Sequence, residues 1–329
     1  MSTRGFPGTV SVPNGMPIPK RLGLVMNVTV TGATGLIGTR LVAALRERGD
    51  DVIVLSRDPA RAQSALGVPA QAWDLLAGPP PESAIAGRDG VVHLAGEPVA
   101  QRWSARSKEA IRASRETGTR NLVEALRTAD PRPGVLVSSS AVGYYGKHGD
   151  ERVSEDDGAG SDFLAQVCVA WEREALAAAE VGVRVVVLRT GIVLDPGGGA
   201  LKTMLPPFKA GVGGPVAGGA QYMPWIHVDD VVGMYLAALD EPSWSGPVNA
   251  TAPEPVTNAV FTKALGRVLG RPTVAPAPAF ALRLAFGEMA DATLLTGARV
   301  RPSLLLASGY RFRFPDLEGA LRHVLGRTA

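Results

Sequence analysis

From Asn27 onward the chain alternates short apolar runs with stretches of helical period. NVTVTGATG is an apolar run ending in glycines. LIGTRLVAALRERG then places Leu36, Ile37, Leu41, Val42 and Leu45 on one helical face before Gly49 closes it. Further strand-like runs follow at DVIVLSR, GVVHLAG (90–96), GVLVSSSAVGYYG (134–146) and VRVVVLRTGIVL (183–194), separated by helical stretches such as SKEAIRASRETGTRNLVEALR. Apolar strands alternating with helices predict an α/β fold built on a Rossmann-like, doubly wound parallel sheet. After Leu194 the pattern breaks into Gly/Pro-rich loops, then PWIHVDDVVGMYLAAL, a strand-like PVNATAP, and mostly helical segments from Thr257. The expected organisation is a flexible tail over 1–25, a cofactor domain over 26–195, and a mixed capping region with a C-terminal helical module over 196–329, some of whose strands return to the sheet.

Composition narrows the class. Of 329 residues, 46% are hydrophobic and 20% charged, which is the balance of a soluble globular chain. The net charge of +3 is spread without a basic run, so no nucleic-acid partner is expected. No run of eighteen apolar residues suggests a membrane span, and nothing before Met26 reads as a targeting signal. A lone cysteine, Cys168, and the absence of clustered ligands at metal spacing point to a cytoplasmic protein without a metal site. A small-molecule substrate is expected, and a homodimer is left open.

TGATGLIG, at 31–38, lies between a strand and a helix, the context in which glycine spacing carries meaning. Gly32 permits the tight turn, Gly35 lets the backbone approach a pyrophosphate, and Gly38 lets the helix lie close on the sheet. Thr34, Leu36 and Ile37 complete the loop whose amides would meet the phosphates. The second strand ends in Ser56 and Arg57, where an NAD-selective fold would carry an acidic residue, so NADP(H) is the expected cofactor. Asp74 and Leu75 are expected beside the adenine. His93, Leu94, Ala95, Gly96 and Ser138 are expected nearer the nicotinamide ribose.

These words resemble the extended short-chain dehydrogenase/reductase superfamily. More closely they resemble its atypical, epimerase-family (nucleoside-diphosphate-sugar-epimerase-like) branch. HLAGEPV, SSSAVGYYG, PWIHVDD, VNATAPEPVTN and the C-terminal RFRFPDLEGAL carry the likeness across the chain from Met26. The resemblance implies hydride chemistry at a carbinol or carbonyl carbon, in an oxidoreductase or epimerase. It equally accommodates a cofactor-binding regulator without turnover, since a cell-division regulator belongs to the same branch.

The superfamily pairs a tyrosine with a lysine four residues later. Aligned on DFLAQVCVAWE, with Glu172 as anchor, that pattern falls on Leu164 and Cys168, neither of which can move a proton at neutral pH. A substitute acid drawn from Ser139, Tyr144 and Tyr145 is one reading of the neighbouring loop; packing residues are the other. Glu97, Arg102, Trp225 and His227 are the substrate-pocket candidates, with Glu97 and Arg102 alternatively pairing with each other or with Arg115. Asp230 reads as the N-cap of the following helix.

Overall fold

In the computed structural model, residues 25–327 are described. The expected tail lies outside these residues apart from Val25. The first half alternates β1 (Asn27–Thr31), α1 (Leu36–Arg48), β2 (Asp51–Ser56), α2 (Pro59–Leu66), β3 (Ala70–Ala72), β4 (Gly90–His93), α3 (Ala105–Thr128) and β5 (Val135–Ala141). There follow β6 (Arg152–Val153), α4 (Phe163–Leu176), β7 (Arg184–Thr190), β8 (Ile192–Leu194) and α5 (Gly199–Lys209). The remainder is β9 (Tyr222–Met223), β10 (Trp225–His227), α6 (Val228–Asp240), β11 (Gly246–Ala250), β12 (Val256–Thr257), α7 (Asn258–Leu269), α8 (Ala279–Phe286), β13 (Arg299–Val300), α9 (Ser303–Ala307) and α10 (Leu317–Val324).

Seven strands form one parallel sheet in the order β11-β7-β5-β4-β1-β2-β3. Strand order reverses between β1 and β4, which opens a crevice at the carboxyl ends of those strands. The α/β Rossmann-like expectation is met. VRVVVLRTGIVL, read above as one strand, divides at Gly191. β7 stays in the main sheet, whereas β8 pairs with β10 in a separate ladder, because a side chain at Gly191 would strike the Pro224 carbonyl.

Alternation along each strand sorts side chains to two faces. Val135 and Val137 of β5, with Val186 and Leu188 of β7, enter a core shared with α1, α6, α7 and α10. Leu136, Val185 and Val187 enter the second core, beneath α3. That parity also fixes the three serines ending β5: Ser138 and Ser140 share Leu136's face, and Ser139 looks the other way.

Candidate functional site

The crevice begins at the loop after β1. Gly32 takes φ +65°, and a Cβ there would lie 2.6 Å from the Leu94 carbonyl carbon and 2.7 Å from the Ala95 nitrogen, so only glycine lets the loop lie against the end of β4. A Cβ at Gly38 would enter the turn itself, 2.7 Å from Ala33 Cα. Thr34 and Gly35 are exposed, while Leu36 and Ile37 are half-buried. No side chain caps α1 and no acidic residue occupies its first turn, so its leading amides and positive dipole end suit an anion. Gly198 crosses above with its would-be Cβ 2.9 Å from Leu36 Cδ1, held by an Arg40–Asp195 ion pair of 2.6 Å. This cradle fits a dinucleotide pyrophosphate.

At the end of β2, Arg57 is exposed and lines a cleft of about 540 Å³ with Ala72, Trp73, Asp74 and Gly78. Its guanidinium makes no hydrogen bond or ion pair among the described residues. The neighbouring acid is otherwise engaged: Asp58 caps α2 by accepting from the Arg61 amide at 3.0 Å. Ser56 Oγ is spent on the Asp58 backbone at 3.1 Å. Asp74 Oδ1 accepts from the Leu76 amide, closing a turn in the cleft wall. The Leu75 carbonyl accepts from Asn121 Nδ2.

Two expected cofactor contacts are corrected at the side-chain level. His93 is fully buried, with Nδ1 2.7 Å from Thr31 Oγ1 and Nε2 3.1 Å from Thr119 Oγ1. Thr31 Oγ1 already accepts the Leu94 and Ala95 amides, so its own proton goes to Nδ1 and the ring donates from Nε2. Burial, with the Arg115 charge second, lowers the His93 pKa to about 4. This imidazole ties β4 to β1 and α3. Ser138 is likewise fully buried, donating to the Ser139 carbonyl.

The expected catalytic cluster does not assemble, because the Ser139 and Tyr145 oxygens are each taken by a buried partner on another element and the Tyr144 ring lies against a guanidinium. Ser139 Oγ lies 2.5 Å from the buried Tyr235 hydroxyl on α6. Tyr145 has no exposed surface; its hydroxyl donates to Asn249 Oδ1 at 2.7 Å and accepts from Arg189 Nη1 at 3.0 Å. Burial pushes its pKa up to about 12. Arg189 also forms a two-pronged ion pair with Glu172, 2.9 Å and 2.8 Å, while Ser140 donates to Glu172 Oε1 at 2.6 Å. Tyr144 lies beneath the same guanidinium, 3.4 Å from ring centre to Cζ. Tyr145 is therefore a strut joining β7 and β11.

Opposite this network, Leu164 and Cys168 on α4 both face Gly143. Burial, followed by the Glu172 charge, pushes the Cys168 thiol up to about 12, so it holds its proton. The pocket candidates divide. Arg102 is exposed and donates to the Leu284 and Ala285 carbonyls at the end of α8, clamping the C-terminal module rather than pairing with Glu97. Glu97 is half-buried at the crevice rim, its amide donating to Ser114 Oγ.

Trp225 and His227 are corrected from pocket lining to core, since Trp225 is 1% exposed and His227 has no exposed surface. His227 Nδ1 caps α6 by accepting from the Asp229 amide, and Nε2 meets His323 Nδ1 at 2.9 Å. His227, Asp229 and His323 bring ligand atoms within 4.8 Å of one another, but the two imidazoles spend those nitrogens on each other. Asp230, expected as the cap, accepts the Arg313 and Phe314 amides instead.

One crevice residue entered the sequence reading only as an alternative ion-pair partner for Glu97 or Arg102. Arg115, on α3, reaches the end of β4 and stacks on Trp171 of α4, its Cζ 4.9 Å from the ring centre. The available signal was its place one residue after Ser114 and three before Gly118, on a face with Ile111 and Leu122 that helical periodicity would keep apolar.

Comparison with known proteins agrees with this architecture. A profile of the NAD dependent epimerase/dehydratase family matches residues 28–250, and a domain of unknown function (DUF1731) matches residues 277–324. The chain is 43% identical over 302 residues to the epimerase family protein Mb2239 of Mycobacterium bovis, covering 91% of this chain and 98% of that one. It is 36% identical over 304 residues to human epimerase family protein SDR39U1, covering 91% and 100%. A crystal structure of human SDR39U1 isoform 2 with NADPH superposes with a TM-score of 0.82 at 35% identity, covering 92% and 100%. A nucleoside-diphosphate sugar epimerase from Corynebacterium glutamicum gives 0.74 at 35% identity, covering 92% of this chain and 59% of that one. With its uncapped, glycine-lined α1, its reversed strand order and a second module closing the core, the chain belongs to the NAD dependent epimerase/dehydratase family.

Proposed function

We propose that this protein binds NADP(H) and acts as an oxidoreductase or epimerase at a carbinol or carbonyl carbon of a small-molecule substrate. The observation that carries the cofactor choice is Arg57: an exposed guanidinium just past β2, without an ion pair or hydrogen bond among the described residues, whose chain neighbour Asp58 is engaged in capping α2. A planar fork in that position suits a 2′-phosphate and would stack on adenine. The human relative solved with NADPH supports the same choice. When bound, the cofactor would supply a hydride. The chain's own contribution would be to hold the pyrophosphate on the α1 amides and orient the nicotinamide half over β4 and β5.

Leu164 and Cys168 favour a second reading, in which the cofactor is a structural or sensing ligand. With Leu164 and Cys168 unable to transfer a proton and Glu172 of the same face held by Arg189, turnover would need an acid from elsewhere. Fluorescence titration with NADPH and NADH tests the first part. NADPH should bind at least roughly tenfold more tightly, the scale of one charge-assisted contact, and Arg57→Ala should remove most of the gap. Equal affinities in the unmodified protein would overturn the cofactor assignment. NADPH consumption across a panel of carbonyl compounds and sugar nucleotides separates the readings: turnover supports the enzyme, and tight binding with no turnover supports the ligand-sensing protein.

A further inference from the structure

The crevice contains a cation that no carboxylate of the described residues touches, Glu97 acting on it only from beyond ion-pair distance. A Cβ built on Gly96, an exposed residue just past β4, would sit 3.3 Å from Arg115 Cζ and 3.4 Å from both of its terminal nitrogens, so the guanidinium lies flat against that backbone. Nη1 donates to the carbonyls of Glu97 at 2.9 Å and Ile111 at 3.2 Å. Among the described residues no carboxylate lies within ion-pair distance of it, and Nε and Nη2 have no protein acceptor. Both nitrogens keep some contact with solvent. The ring of Trp171 also packs on the cation, 4.9 Å from its Cζ, and the charge acts on Cys168 of the same helix. A half-buried guanidinium satisfied by carbonyls on one edge alone has its other edge free for a ligand.

Its position says which part of the ligand. Gly96 follows the Leu94–Ala95 stretch that touches the Gly32 turn, so Arg115 stands beyond the pyrophosphate cradle, on the side of β4 and β5 away from Arg57. We propose that Arg115 donates from Nε and Nη2 to the hydroxyl oxygens of the nicotinamide ribose of NADP(H). From a neighbouring helix it thereby supplies the fixed positive charge that position 168 lacks. This assignment rests on the reading of the crevice as an NADP(H) site. It has an electrostatic corollary: a guanidinium beside the nicotinamide repels the positively charged oxidised ring and tolerates the neutral reduced one, so the site prefers NADPH to NADP+.

Calorimetric titration of the full chain with NADPH, NADP+ and 2′,5′-ADP tests this, because 2′,5′-ADP carries the 2′-phosphate and adenine but no nicotinamide ribose. Arg115→Met should weaken NADPH roughly tenfold or more, the scale of a charged hydrogen bond, and leave 2′,5′-ADP within about twofold. It should also shrink the preference for NADPH over NADP+, and Arg115→Lys should restore that preference. Arg57→Ala should weaken NADPH and 2′,5′-ADP together. If the methionine variant fails to bind 2′,5′-ADP, Arg115→Gln, which keeps a donor for the Glu97 carbonyl, takes its place with the same expectation. Unchanged NADPH affinity and an unchanged reduced-to-oxidised ratio in a variant that still binds 2′,5′-ADP would overturn the assignment and leave Arg115 as a strut. If the unmodified protein binds neither NADPH nor 2′,5′-ADP, the crevice reading itself fails and the assignment with it.

Discussion

Arg189 and Glu172 are 3% and 5% exposed, and each satisfies the other while touching Tyr145 or Ser140. Removing one partner strands the other's charge in the core. Arg189→Met should therefore cost about 3–5 kcal/mol, read as a lowered midpoint in urea unfolding. A loss below about 1 kcal/mol would mean that the pair is not held in a dry environment. Cys168 lies nearby with its thiol pushed up to about 12. It should resist alkylation at pH 8 in the native state and react readily in urea; fast native labelling would contradict its burial. His93 sets a pH dependence. Its folded pKa of about 4 lies below the ordinary 6.5, so between those values the unfolded chain binds the extra proton and stability falls as pH falls. The expected slope is about 1.4 kcal/mol per pH unit from this group. His93→Gln should flatten the curve of melting temperature against pH over that window, and an unchanged curve would refute the assignment. His93 was read as a site residue for its place at the end of the fourth strand, and Tyr145 because a phenol can carry a proton. Only their partners, from Thr31 to Asn249, assign them to the core.

At the scale of elements, the sequence spoke most clearly where local rules act alone. The glycine turn, α1 with its αL Gly49, and the β-period of β1, β2, β5 and β7 follow from backbone sterics and side-chain alternation. Asp230 shows the limit. Its position at the start of α6 matches a capping residue, yet His227 caps that helix and Asp230 reaches across to the Arg313 and Phe314 amides, at 2.7 Å and 3.0 Å. Propensity names the residue types that can cap; which one does depends on what packs alongside. Asp230→Ala leaves two partly buried amides without their acceptor and should cost about 1–3 kcal/mol, measured by urea unfolding. A near-neutral result would show that the 311–314 segment docks without them.

For the molecule as a whole, the C-terminal module completes the core rather than decorating it. Leu305, Leu317 and Leu321 are buried in the same cluster as β1 and α1, Arg301 accepts through its carbonyl from Asn249, and Glu155 accepts from the Ser303 amide. A chain ending at Pro276 should aggregate or lose cooperative unfolding in calorimetry; a soluble, cooperatively folding product would show the first module to be self-sufficient. None of the described helices is long and apolar enough to cross a membrane. By itself the sequence determined the parallel α/β sheet, the phosphate turn and the basic end of β2, because periodicity, glycine sterics and a residue's place after a strand are local properties. The tertiary structure alone decided which polar side chains were consumed by the core, that Ser139 meets Tyr235 of α6 while Ser140 meets Glu172 of α4, and that Arg115 from α3 packs on Trp171 of α4. Those outcomes depend on contacts between residues far apart in the chain, and no local pattern encodes which buried donor will find which acceptor.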